Sequence, residues 1–145
     1  PKTNDTTSRL LSHINRQCTG HFYLSQDENG RCRSDHTQPK EVAHNELDNG
    51  KYELTITLNA KRFETQESGE ASPIGINEPI PIGLFERHPS WIGKDGGTIY
   101  LQPHQISADG QEIKVIVDQL PRYVSIDPYG TRVDENIYNN TKMLD

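Results

Sequence analysis

The chain is short of the residues that build a core. Hydrophobic residues make up 31% of its 145 positions, a quarter are charged, and the mean hydropathy is -0.84. Such a composition supplies one thin core, as in a two-layer domain, and too little for a large active-site scaffold. No apolar run approaches the roughly 18 residues of a membrane-crossing helix, so no direct membrane insertion of this chain is expected. No basic-then-apolar leader opens it. It begins at Pro1 rather than at methionine and is read as a piece of something longer.

A basic excess is missing too. The formal charge is -6, and it is uneven: net -1 over residues 1–50 and net -5 over the remaining 95. With no cationic stripe to displace counterions, a nucleic-acid partner is excluded. The motifs of self-contained catalysis are absent as well. There is no His-Glu-x-x-His, so the chain is not itself a zinc peptidase of that type. It has no Gly-x-Ser-x-Gly nucleophile elbow and no glycine-rich phosphate loop. No catalytic and no cofactor-binding residue is assigned.

What is present is a series of strand signals. Between Ile80 and Tyr129 four short runs rich in β-branched and aromatic residues, Ile80–Phe85, Thr98–Leu101, Ile113–Val117 and Tyr123–Tyr129, are separated by Gly, Pro and Asp-Gly. Upstream, Asp48-Asn49-Gly50 launches Tyr52, Leu54, Ile56 and Leu58 in strict alternation with polar residues, the mark of a strand with one buried face. Asp109-Gly110 reads as a hairpin turn between the Thr98 and Ile113 runs. The fold expected is an all-β, immunoglobulin-like antiparallel sandwich over residues 46–145. Residues 1–45 read as a polar extension, with a short helix placing Leu10, Leu11 and Ile14 on one side and a hairpin at Asn29-Gly30. Ser34 to Asn45 reads as a loop or edge segment, and the tail after Gly130 as polar, anchored by Val133, Ile137 and Met143.

Three clusters are candidates for chemistry. Cys18, His21, Cys32 and His36 have soft or borderline donors at short spacings and form a candidate zinc set that matches no specific zinc pattern. Its rivals are a Cys18–Cys32 disulfide, closing a loop of about 15 residues worth up to about 3 kcal/mol, and two free thiols. Asp127, Asp134, Glu135 and Asn136 are oxygen donors suited to calcium, but their spacing departs from a calcium loop and fits turn capping better. Phe85, Trp91 and Tyr100 form a candidate ligand platform, with core packing as the plainer reading. No metal site is assigned.

From about Asn49 to Lys142 an ordered set of blocks carries a resemblance. Gly50-Lys51-Tyr52-Glu53-Leu54-Thr55 is followed by Ala60-Lys61-Arg62-Phe63 and Ile82-Gly83-Leu84-Phe85. Then come Ile99-Tyr100-Leu101-Gln102-Pro103-His104-Gln105-Ile106, Val115-Ile116-Val117-Asp118 with Pro121, Ile126-Asp127-Pro128-Tyr129, Val133-Asp134 and Asn140. The stretch resembles the C-terminal β-domain of bacterial membrane proteins that join an ABC-2-type permease to an M1-family aminopeptidase. The resemblance implies a non-catalytic accessory sandwich. Its partner would be the peptidase domain of the same parent chain, where zinc would reside, and its setting a bacterial inner-membrane protein, with the periplasmic side favoured. The family's zinc and substrate motifs have no counterpart here. The rival expectation is a secreted or periplasmic binding module that grips its ligand with the Trp91 loop.

Overall fold

The computed structural model describes residues 25–26, 32–66, 68–89 and 97–145. Among the described residues nine strands follow one another: β1 (Ser25–Gln26), β2 (Cys32–Glu46), β3 (Tyr52–Thr65), β4 (Ala71–Ile74), β5 (Glu78–Phe85), β6 (Thr98–Ile106), β7 (Glu112–Val117), β8 (Tyr123–Ile126) and β9 (Thr141–Met143). A 3-10 turn, Ile137–Asn139, precedes β9. The strands form two antiparallel sheets. In sheet A, β1, β2 and β3 lie side by side, and the far edge of β3 is shared by β4 and β7; sheet B runs β6-β5-β8-β9.

The alternation seen in the sequence explains β3. Leu54, Ile56 and Leu58 are completely buried, while Glu53, Thr55, Thr57 and Asn59 between them stay half-exposed. Opposite, β5 turns Ile80, Ile82 and Leu84 inward, and with Ile106, Ile113, Val115, Val117, Val124 and Ile126 they form one cluster between the sheets. Each such side chain contributes about 1.5–3 kcal/mol on burial, enough for a core one layer deep. The two outer faces differ in kind. Sheet A presents Glu53, Thr55, Thr57, Asn59 and Lys61 with Glu112 and Lys114 beside them, a wet surface. On sheet B the outward positions are Pro81, Gly83 and Phe85, the last two buried within the chain, with Leu101, Tyr123, Met143 and the buried Ser125 in register alongside.

The sandwich is therefore the expected class, with corrections. The boundary expected at residue 45 falls inside β2, a 15-residue strand that pairs with β3 from Cys32↔Thr65 to Glu46↔Tyr52. Ser34 to Asn45 is thus an edge strand of the framework, the second of its two expected readings, and not a loop or an extension. The turn at Asp109-Gly110 exists, with Gly110 at φ 77, yet it makes no hairpin, because β6 pairs with β5 in sheet B whereas β7 pairs with β3 in sheet A. The chain crosses between layers there. The tail is not anchored by Ile137 and Met143, which are 50% and 51% exposed; polar groups hold it, together with half-buried Val133 and with Leu144 packed against the core. The expected N-terminal helix and the Asn29-Gly30 turn lie outside the described residues.

Candidate functional site

At one end of the sandwich the inward-facing register continues past the apolar core into charge. Arg62 follows Leu58 and Ala60 on the inner face of β3, Asp35 lies opposite it on β2, and Glu78 precedes Ile80 on the inner face of β5. Arg132 enters from the C-terminal segment. Arg62 grips Asp35 with both Nε (2.7 Å) and Nη2 (3.0 Å) and reaches Glu78 with Nη1. Arg132 donates to Asp35 through Nε (2.9 Å) and Nη2 (2.6 Å), and to Glu78 through Nη1 (2.6 Å). The result is a closed ring of two guanidinium and two carboxylate groups in which every acid touches both bases. Its formal charge cancels, which makes burial of the Asp35 carboxylate, 6% exposed, tolerable.

The ring fixes protonation states. Hydrogen bonding from Arg62 pulls the Glu78 carboxyl down to about 2, against the opposing effect of burial and with help from Arg132. The bond to Asp35 holds the Arg62 guanidinium above its ordinary range, although burial works the other way. For Arg132 burial lowers its basicity, and the bonds to Glu78 and Asp35 outweigh that, leaving it raised. Arg62, Glu78 and Arg132 stay ionised through neutral pH, so none of these three serves as a proton donor or acceptor there.

Two further carboxylates hold the C-terminal segment. Asp127, at φ 46, accepts from the backbone N–H of Thr131 (3.0 Å) and of Arg132 (2.9 Å) and so aims Arg132 at the ring. Asp134 Oδ2 accepts from Thr37 N–H (3.0 Å) and Thr37 Oγ1 (2.6 Å), while its Oδ1 accepts from Asn136 N–H (2.9 Å). Backbone bonds between Asp35 and residues 133 and 135, both 3.0 Å, complete the attachment to β2. In the acidic cluster Asp127, Asp134 and Asn136 are thus turn and strand caps. Glu135 instead pairs with His36 Nε2 at 2.7 Å.

The zinc set is not supported by the residues that are described. Cys18 and His21 lie outside them. Cys32 is buried and disulfide-bonded, so it has no thiolate to offer, and Cys18 is the only other cysteine in the sequence. His36 is four residues further along the same extended strand, about 13 Å away at strand rise, too far to share an ion held at 2.0–2.3 Å. No group of three or more metal-ligating side chains occurs among the described residues.

The aromatic platform is also divided. Tyr100 pairs with Leu84 and shares its core face. Phe85, one residue on, points to the outer face of sheet B, where its ring lies over Gly83, leaving no room for a Cβ there. A single surface cannot include both rings, and Trp91 lies outside the described residues. Tyr100 uses its hydroxyl on His104 Nε2 (2.7 Å). Burial raises the phenol and lowers the imidazole from their ordinary values.

At the opposite end from the ring, a shallow depression of about 320 Å³ opens where β6 begins and β7 ends, lined by Glu86, Gly97, Thr98, Tyr100, Ile116 and Asp118 among others. Gln119 Nε2 donates to Glu86 Oε1 across it (2.5 Å). Its lining offers hydrogen bonds and two carboxylates but no poised nucleophile.

No family model, curated protein or solved structure matches the chain. The most built cluster is therefore one that residue-type searching missed. A signal for it did exist: Arg62 and Glu78 each occupy the next inward position of a strand whose other inward positions are apolar. Charge in phase with a core calls for a buried counter-charge.

Proposed function

We propose that this chain is a non-catalytic accessory β-sandwich of an M1-type zinc aminopeptidase membrane protein, packed against the peptidase part and shaping substrate access. The observation that carries the reading is the contrast between the outer faces. Sheet A carries the charged and hydroxyl side chains of a solvated surface, whereas sheet B sets half-buried Pro81, Leu101 and Tyr123 and the 51%-exposed Met143 around a Phe85 that the chain already buries, a more apolar face of the kind a neighbouring domain covers. The ionic ring agrees with it, since the densest set of ionisable groups is spent on joining the layers. Among the described residues no helix is long and apolar enough to cross a membrane, so membrane attachment would rest with the parent.

The test combines activity and association. The purified chain, supplied with zinc, leaves aminoacyl amides intact, and Leu101→Asp and Met143→Asp weaken its binding to a separately produced peptidase part. Metal-dependent hydrolysis by the chain alone ends the reading. A second reading, a periplasmic or secreted ligand-binding module working through the Trp91 loop, is favoured by one observation: the depression lies at the two roots of that loop, Glu86 and Gly97. Tryptophan fluorescence against panels of sugars and peptides separates the two.

A further inference from the structure

The edges of a sandwich decide what else can join it. A strand edge left open presents unpaired N–H and C=O groups to any other strand, and proteins blunt such edges with proline, short length or a cover. Among the described residues most edges are blunted over at least part of their length, although Glu41–Glu46 of β2, like β7, pairs only with β3. β2 is covered around Asp35 by residues 133–135 and interrupted by Pro39. β4 contains Pro73, β6 contains Pro103, and β9 is only three residues long. β7, Glu112-Ile113-Lys114-Val115-Ile116-Val117, has neither proline nor cover and pairs only with β3.

The phase of its ladder is fixed. Leu58 N–H donates to Gln111 O (2.9 Å), so Gln111, Ile113, Val115 and Val117 turn their backbone groups toward β3. Those of Glu112, Lys114 and Ile116 point outward. Their side chains share the outer face of sheet A, where Glu112 is exposed, Lys114 is 64% exposed and only loosely placed near Glu53 at 3.9 Å, and Ile116 is 56% exposed.

We infer that β7 is the seam of a homodimer in which two copies pair antiparallel across a two-fold axis centred on Ile113. That register sets Glu112 of each copy against Lys114 of the other, twice, with the outward backbone groups of both residues meeting in hydrogen-bonded pairs. Sliding by one ladder step in either direction opposes Lys114 to Lys114 or Glu112 to Glu112, which cross-strand pairing disfavours. The edge is therefore charge-complementary to itself in one register, and the occupant that fits it is a second copy of this chain. Joining two sheets A through β7 would leave the outer face of sheet B free, so this inference goes beyond the accessory-domain reading and does not depend on it.

The experiment is sedimentation equilibrium from about 1 µM to about 0.5 mM, with circular dichroism to verify that each variant is folded. The wild-type chain dimerises within that range. Lys114→Glu and Glu112→Lys each weaken the dimer by about tenfold or more, because two favourable pairs become repulsive. The double variant Glu112→Lys with Lys114→Glu returns to within about threefold of wild type. An equimolar mixture of the two single variants forms a heterodimer. A wild-type chain that stays monomeric throughout overturns the inference and leaves the edge to a strand from a different protein. A dimer indifferent to the single changes, or one that the double change fails to restore, overturns it equally.

Discussion

At one end of this sandwich Arg62, Asp35, Glu78 and Arg132 close the space between the sheets with a ring of hydrogen-bonded charge; at the other, near Glu86, Tyr100 and Asp118, the sheets part over a shallow open depression. Both ends face the same difficulty, that the apolar core runs out before the strands do. The first end solves it with long cationic side chains that reach across from both layers, and the second leaves polar groups to water. The difference teaches where the fold is stiff. A neutral ring with each carboxylate doubly held tolerates no missing member, while half-exposed groups at the open end are exchangeable.

The sharpest way to break that contrast is Arg62→Met. The Arg62 and Asp35 side chains are 10% and 6% exposed, so the change leaves a buried carboxylate with one partner fewer, at an expected cost of about 3–5 kcal/mol. Urea denaturation measures it. Combining it with Asp35→Asn should restore part of the loss, because the ring is disfavoured by an unpaired charge more than by absence of the pair. A fully additive double mutant would mean that the ring is not a unit. Next in size is Asp134→Ala, which strips acceptors from Thr37 N–H and its hydroxyl. A loss of about 1–3 kcal/mol is expected, with faster amide exchange at Thr37 and through residues 131–136. The same substitution should leave exchange in β7 unchanged.

Much of the sandwich could be read from residue order because β3, β5, β7 and β8 bury what looks buriable. Leu54, Ile56 and Leu58 alternate with polar residues, and the pattern needs no partner to be recognised. β2 hides for the opposite reason. Its inward positions are Asp35, Thr37 and Pro39, two of which become core residues only through Arg62 and Asp134, partners 27 and 97 positions away. A register shift between Pro39 and Glu41 then moves the inward set to Val42 and His44, so no single period spans the strand. The candidate sites failed on geometry that residue type does not encode. Tyr100 pairs with Leu84, one residue before Phe85, so a pleat separates the two rings; Cys32 and His36 share a strand face but are an extended four residues apart.

Acid sharpens the contrast without any mutation. The Glu78 carboxyl, held at about 2 in the fold against an ordinary 4.5, is a depressed acid. Its contribution is fully present above 4.5 and disappears as pH falls from there through about 2. His104, lowered by burial from 6.5, is a depressed base: its neutral form suits the fold, so stability is complete above 6.5 and declines as pH drops below that. The His104 contribution should thus decline first, in mild acid, and the ring only in strong acid. Stability measured from pH 7 to 2 should fall in two steps, with His104→Gln removing the earlier one and Glu78→Gln the later.

The smallest effect expected belongs to the Tyr100 hydroxyl. It bonds to His104 Nε2 at 2.7 Å from a half-buried position on an edge strand, where water can replace either partner. Tyr100→Phe should therefore cost no more than about 1 kcal/mol, several-fold less than Arg62→Met despite the shorter distance than some bonds within the ring. It should also move the His104 titration measured by NMR, since the imidazole loses its hydrogen bond to the Tyr100 hydroxyl while remaining partly desolvated. A Tyr100→Phe penalty as large as that of Arg62→Met would mean that the open end is as tightly built as the ring, and the distinction between the two ends would fall with it.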